Sequence, residues 1–120
     1  MSARVIVTPE FMRSAKKLLK KYNSLRGELV ELNKSLEANP FQGDKITEGI
    51  YKIRLAIRSK GRGKSGGGRV ITYVDVEVKD EEEMISVYLL KIYDKSDFSN
   101  ISTSHLEQIV GRIRSEQEEE

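Results

Sequence analysis

Between Ile50 and Arg58, apolar side chains alternate with cationic ones: Tyr51, Ile53, Leu55 and Ile57 against Lys52, Arg54 and Arg58. A strand sends successive side chains to opposite faces, so this pattern predicts one apolar face and one positively charged face. The cationic, glycine-rich stretch Gly61-Arg62-Gly63-Lys64-Ser65-Gly66-Gly67-Gly68-Arg69 follows, and then a second strand pattern, Val70-Ile71-Thr72-Tyr73-Val74. The order predicts two neighbouring strands joined by a flexible loop, with Arg69 opening the second strand beside Lys52 and Arg54. Cations gathered on one side of a small sheet suit a phosphate backbone, and they do not suit a buried core.

The remaining segments supply the frame. Arg4 to Val7 reads as a short first strand, and Thr8-Pro9 as a helix start with Thr8 at the N-cap and Pro9 at the first helical position. Phe11, Ala15, Leu18, Leu19 and Tyr22 recur at helical spacing, with Lys16, Lys17, Lys20 and Lys21 off that stripe. Asn23-Ser24 breaks the pattern. A second helix carries Leu25, Leu29, Leu32 and Leu36 and ends at Asn39-Pro40. Two short helices this close predict a helical hairpin. After a loop, strands are expected from Gly49 to Arg58, from Arg69 to Val78 and from Met84 to Tyr93. The last two are joined by the polar turn Lys79–Glu83, and Val87-Tyr88-Leu89-Leu90, apolar on both faces, marks the central strand. Ser104 with Glu107 fits a capping box for a last helix bearing Leu106, Ile109, Val110 and Ile113. These elements predict an α+β fold: a small twisted, mainly antiparallel sheet with an N-terminal helical hairpin and a C-terminal helix, the helices packed on one side. One domain is expected over 1–115, with 116–120 an acidic, frayed tail.

The chain has 120 residues, enough for one modest core, and its net charge of +2 hides a strong asymmetry. Acid concentrates in Asp80-Glu81-Glu82-Glu83 and Glu116-Gln117-Glu118-Glu119-Glu120, whereas the stretch from Lys45 to Arg69 is basic. There is no cysteine, which excludes disulfide and thiolate chemistry. No apolar run reaches membrane-spanning length and the first residues lack a signal-peptide core, so a cytoplasmic protein without membrane association is expected. A lone histidine, His105, at the start of the last helix reads as a surface residue, and no metal site or cofactor is expected. Gly63-Lys64-Ser65 imitates the end of a P-loop, but the glycine required five residues earlier is Arg58, and the loop leads into a strand.

Tyr51-Lys52-Ile53-Arg54, the loop Gly61–Arg69 and Tyr88-Leu89-Leu90-Lys91-Ile92-Tyr93-Asp94-Lys95 resemble, in order and spacing, three consecutive motifs of the HigB branch of the RelE/ParE superfamily. These are toxins of bacterial type II toxin–antitoxin modules. The resemblance covers nearly the whole chain and is sharpest from Gly49 to Lys95, with the loop its most specific part. It implies a compact RelE-like fold and a ribosome-dependent mRNA endonuclease that works by metal-independent attack of a ribose 2′-hydroxyl. The implied partners are the ribosome and its mRNA, a cognate helix-turn-helix antitoxin, and operator DNA only through that antitoxin.

Carried over residue by residue, the resemblance implies catalytic roles for Lys52, Arg54, Arg69, Tyr93 and Lys95. Arg69 matches the arginine that contacts the scissile phosphate, and Lys52 and Arg54 match basic residues of the preceding strand. Tyr93 and Lys95 match more loosely, because HigB-like chains show Lys-Asn-Glu where this one has Lys95-Ser96-Asp97. Arg58, Lys60, Arg62, Lys64 and Lys91 are candidate RNA contacts. Each has a plainer reading beside the functional one: Lys52 and Arg54 on a solvated sheet face, Arg69 at a loop edge, Tyr93 as packing, the loop as a hairpin connection. The competing function is a binding module without catalysis, such as a ParE-like gyrase inhibitor or a general RNA-binding protein.

Overall fold

The computed structural model describes residues 3–61, 63–97 and 101–118, together with their side chains except those of Lys64 and Ser65. Along the chain lie β1 (Ala3–Val7), α1 (Pro9–Lys21), α2 (Leu25–Ala38), β2 (Asp44–Thr47), β3 (Ile50–Leu55), a 3-10 turn (Arg58–Lys60), the short α3 (Gly63–Gly66), β4 (Gly68–Lys79), β5 (Glu82–Asp94) and α4 (Thr103–Glu118). The strands form one five-stranded sheet in the order β1-β5-β4-β3-β2. β1 runs parallel to β5 and the other neighbours are antiparallel. β5 is an inner strand, but the middle of the sheet is β4, not the Val87–Leu90 strand.

β4 is apolar on both faces, and that places the helices. Val70 and Val74 pack with Ile53, Val87, Leu89 and Ile92 under α1 and α2. Ile71 and Tyr73 face the other way and pack with Ile50, Tyr88 and Leu90 under Leu106, Ile109 and Ile113 of α4. The helices therefore cover both faces, which corrects the expectation of a one-sided arrangement: a strand apolar on both faces needs burial on both. α4 is also pinned by polar contacts. Arg114 Nε donates to the Tyr73 hydroxyl at 2.9 Å, Gln117 Nε2 to the Tyr88 hydroxyl at 2.7 Å, and Arg112 makes a forked pair with Glu10 at 2.7 and 2.8 Å. Residues 116–118, expected in a frayed tail, continue this helix.

Local signals explain the ends of the elements. Thr8 Oγ1 accepts from the Phe11 amide at 3.1 Å and donates to the Leu89 carbonyl at 2.7 Å, so one cap fastens α1 to β5. The cap of α4 is Ser102, whose Oγ accepts from the His105 amide at 3.1 Å, in place of the expected Ser104. β2 was expected to be loop; it is short and irregular, which leaves little alternation to read. Among the described residues no helix is long and apolar enough to cross a membrane.

One irregularity decides what faces where. Ile71 pairs with Lys91 but Thr72 pairs with Leu89, so Leu90 is an extra residue on β5. Such a bulge shifts the alternation by one. Tyr88 lies on the α4 face opposite Tyr73, and after the bulge Lys91 and Tyr93 return to that same face.

The β4–β5 hairpin closes through Asp80 and Glu81, both left-handed with φ of 53° and 67°. A two-residue turn of this kind favours glycine at its second position. Glu81→Gly should therefore stabilise the protein by roughly 0.5 kcal/mol, since an L-residue is strained in that region. A higher urea midpoint at an unchanged denaturant slope would show it, and an unchanged or lower midpoint would contradict it.

Candidate nucleic-acid site

The site follows from strand register. β3 and β4 set Arg54 directly opposite Arg69, and β4 and β5 set Arg69 opposite Tyr93, so the three side chains form one row across three strands. The adjacent row reads Asp44, Lys52, Ile71, Lys91. Neighbouring strands are about 4.8 Å apart, so members of a row are lateral neighbours on one face. Like charges facing each other across two strands disfavour pairing, so this row is not what sheet stability alone would select.

α4 covers the apolar end of this face and leaves the cationic end open. There, Lys52, Arg54, Arg69, Tyr93 and Lys95 line a single cavity of about 480 Å³. Its other lining residues are the carboxylates Asp44 and Asp97 and the apolar Ile46, Ile71, Ile101 and Leu106. Arg69 is 8% exposed, and its Nη1 donates to the Gly68 carbonyl at 3.0 Å. Lys52 and Tyr93 are half-buried, and Arg54 and Lys95 are exposed. The arrangement can bind a phosphate from several directions, with a planar aromatic group at its edge.

A buried carboxylate underpins the cavity from the opposite face. Asp94 follows Tyr93 and is 6% exposed. It accepts from the Tyr22 hydroxyl at 2.6 Å, from the Ser96 amide and hydroxyl at 3.0 and 2.8 Å, and from the ammonium of Lys60. Lys60 also donates to the Gly67 carbonyl at 3.2 Å, which in turn accepts from the Lys95 amide at 3.0 Å. The end of α1, the 3-10 turn, the glycine stretch and the turn bearing Lys95 are thereby tied to one point. Burial alone would raise the Asp94 pKa, but the bonds from Lys60, Tyr22 and Ser96 outweigh it and hold the carboxyl well below the usual carboxylate range.

This network changes the reading of the RNA-contact candidates. Lys60 is turned inward in its ion pair with Asp94 instead of reaching outward. Arg58 was expected on the Lys52–Arg54 face, but β3 ends at Leu55. Arg58 instead opens the 3-10 turn and pairs with Glu28 and Glu31 of α2, at 3.4 and 3.7 Å. Its amide also donates to Glu28 at 2.7 Å, so the turn is anchored to that helix. Lys91 shares the cationic face but does not line the cavity. Lys64 falls within α3, and Arg62 lies outside the described residues.

The stretch expected as a flexible loop is partly ordered by the 3-10 turn and α3. At four residues, α3 is too short for a P-loop helix, and a strand follows it directly. The glycine at 67 serves the protein's own packing: a Cβ there would lie 2.1 Å from the Leu55 carbonyl oxygen.

Sequence reasoning missed Asp44, Ile46, Ile101 and Leu106 as parts of the site. The only local signal for β2 is Gly43, at φ +96°, where a Cβ would come within 2.4 Å of the Lys52 carbonyl oxygen. No protein-family model matches the chain.

Asp94→Asn should leave Lys60 without its counter-charge and cost about 3 kcal/mol at neutral pH. Because the folded-state pKa is depressed, the Asp94 contribution is complete above the unfolded value near 4. It is lost as pH falls toward the folded value, since the unfolded chain takes up the proton first. Wild-type stability should thus decline below about pH 4 more steeply than that of Asp94→Asn. Urea unfolding of both proteins between pH 7 and pH 2 measures this, and parallel curves would contradict it.

Proposed function

We propose that the protein is a ribosome-dependent mRNA endonuclease of the RelE/HigB kind, acting as the toxin of a toxin–antitoxin module. The observation that carries this reading is the row Arg54–Arg69–Tyr93, flanked by Lys52 and Lys95 in one cavity. Those are the residues at which the chain resembles HigB-like toxins, and strand register brings them together from separate segments. The RelE-like arrangement of a helical pair, a small sheet and a last helix is part of the same proposal.

In this reading the ribose 2′-oxygen attacks the adjacent phosphorus, and the bond from phosphorus to the 5′-oxygen of the next nucleotide breaks. One proton leaves the 2′-hydroxyl and one reaches the departing 5′-oxygen. Arg69, buried and fixed, and Arg54 neutralise the charge that grows on the phosphate oxygens. Lys52, Lys95 and Tyr93 are within the same cavity to carry protons or to orient the sugar and base. The ribosome supplies substrate alignment, which removes part of the entropic barrier.

A second surface supports a large polyanionic partner. Arg13, Lys16, Lys17, Lys20 and Lys21 of α1 are exposed, and no ion pair involves them among the described residues. Tyr22 and Asp94 join the end of α1 to the site end of the sheet, on the face opposite the cavity. The acidic turn Asp80–Glu83 closes the opposite end of the long hairpin, roughly 35 Å away at strand rise. A dipolar charge distribution of this kind orients approach to RNA.

Arg69→Ala should abolish growth arrest and cleavage of translated mRNA while its circular dichroism spectrum stays that of the wild type. The upstream fragment should end in a 2′,3′-cyclic or 3′-phosphate. A folded, fully active Arg69→Ala protein would remove that residue from the mechanism, and a 3′-hydroxyl end would exclude attack by the 2′-oxygen. Altered DNA supercoiling without mRNA cleavage would favour the gyrase-inhibitor reading instead.

Replacing Lys16, Lys17, Lys20 and Lys21 by glutamine should weaken ribosome binding and flatten its salt dependence. Each lost phosphate contact removes about one unit from the slope of log K against log salt. Filter binding between 50 and 200 mM salt tests this, and an unchanged slope would exclude α1 from the interface.

A further inference from the structure

β4 and β5 outgrow the rest of the sheet. β3 accompanies β4 only as far as the Ile50–Tyr73 pair, and β1 joins β5 only from Ile85 onward. The hairpin continues past both through the pairs Glu77–Met84, Val78–Glu83 and Lys79–Glu82. Every residue from Val76 to Met84 is exposed, with Val76 at 44% and Val78 at 72%. A two-stranded ribbon with nothing beside it is marginal in water, and a further strand is what ordinarily secures one.

The outer edge of β4 is ready for such a strand. In an antiparallel strand the N–H and C=O of one residue point to the same edge, and successive residues alternate. Val74 donates its amide outward, to the Gly49 carbonyl at 2.8 Å. Val76 and Val78 therefore point outward too, and among the described residues no strand pairs with them on that side. Asp75 to Lys79 contains no proline, glycine or bulge that would block pairing.

This edge is complementary to itself. A two-fold axis through Glu77, perpendicular to the sheet, sets a second copy antiparallel, with Asp75 opposite Lys79 and Val76 opposite Val78. The outward N–H and C=O groups of Val76 and Val78 then bond to each other across the axis. Lys79 forms no ion pair among the described residues. Asp75 lies with Glu77 and Glu118 in a shallow recess beside Arg114 and Gln117, so an incoming ammonium meets an excess of carboxylates. The two Glu77 side chains meet on the axis, and this like-charge pair weakens the contact. Other axes are worse. Centring on Val76 sets Asp75 against Glu77, and centring on Val78 runs Val76 into the left-handed turn at Asp80.

We infer that the edge of β4 from Asp75 to Lys79 is a self-association surface, through which two copies of this chain join their sheets into one by antiparallel β4–β4 pairing. The contact is smaller than the roughly 1,600 Å² of a standard stable interface, so the dimer is reversible. Both cavities lie on the α4 face, away from the axis, and stay open. The inference does not depend on the endonuclease reading.

Sedimentation velocity of the full chain between about 1 and 500 µM should show a monomer–dimer equilibrium. Amide exchange at Val76 and Val78 should slow as concentration rises. Glu77→Gln removes the repulsion on the axis and should tighten the dimer about threefold. Lys79→Glu makes both Asp75 contacts repulsive and should weaken it about tenfold or more. Asp75→Lys should also weaken it, whereas a mixture of Asp75→Lys and Lys79→Glu should recover association, because every facing pair is again of opposite charge. Circular dichroism checks that each variant is folded, and the variants at Glu77 and Lys79 decide the matter if Asp75→Lys is not. A monomer at every concentration would overturn the inference and leave the edge to a strand of another protein. A dimer indifferent to Lys79→Glu would place the interface elsewhere, and one weakened by Glu77→Gln would place the axis elsewhere; either result overturns it.

Discussion

Both faces of β4 and β5 are apolar where the strands cross the middle of the sheet, and the need to cover both governs the architecture. α1 and α2 take one face. α4 takes the other, but only the part where Ile71, Tyr73, Tyr88 and Leu90 offer it an apolar floor. Beyond that floor the strands carry Lys52, Arg54 and Arg69 in place of apolar residues. Arg69 is already buried among them, and burying Lys52 and Arg54 as well under an apolar helix would cost far more than the burial returns. The open cavity is the part of the second face that α4 has no reason to cover.

Bringing cations so close requires support from elsewhere. Asp94 provides much of it from the opposite face, through Lys60, Tyr22 and Ser96, and through the Gly67 carbonyl shared by Lys60 and Lys95. A buried ion pair of this sort is a modest source of net stability, but breaking it is costly, so it fixes geometry effectively. It also explains why a glycine-rich connection can be ordered. Gly67 packs against the Leu55 backbone where a Cβ has no room, and Lys60 is spent on internal bonding. The cationic composition of the stretch therefore overstates how many of its charges face a partner.

The bulge at Leu90 does comparable work for Tyr93. Strict alternation from Tyr88 would send Tyr93 to the side of α1 and α2. The extra residue returns it to the side of Arg69, completing the row that the proposed chemistry uses. Bulges often redirect a side chain in this way next to functional sites. Here a single inserted residue separates an aromatic group in the cavity from one in the core.

The sequence by itself determined the strands carrying Lys52, Arg54 and Arg69, the start of α1 at Thr8-Pro9, the extents of both N-terminal helices and the apolar stripe of α4. These are local properties: alternation, capping and helical spacing are written in adjacent residues. Tertiary structure alone decided that α4 lies on the face opposite α1 and α2, and that Lys60 and Arg58 turn to Asp94 and to Glu28 and Glu31. It likewise decided that Asp44 and Ile46 join the cavity from β2 and that Tyr93 faces Arg69. Each of these depends on which distant segment becomes a neighbour. Pairing register and the competition of carboxylates for cations are settled only when the whole sheet has formed, so no window of adjacent residues contains them.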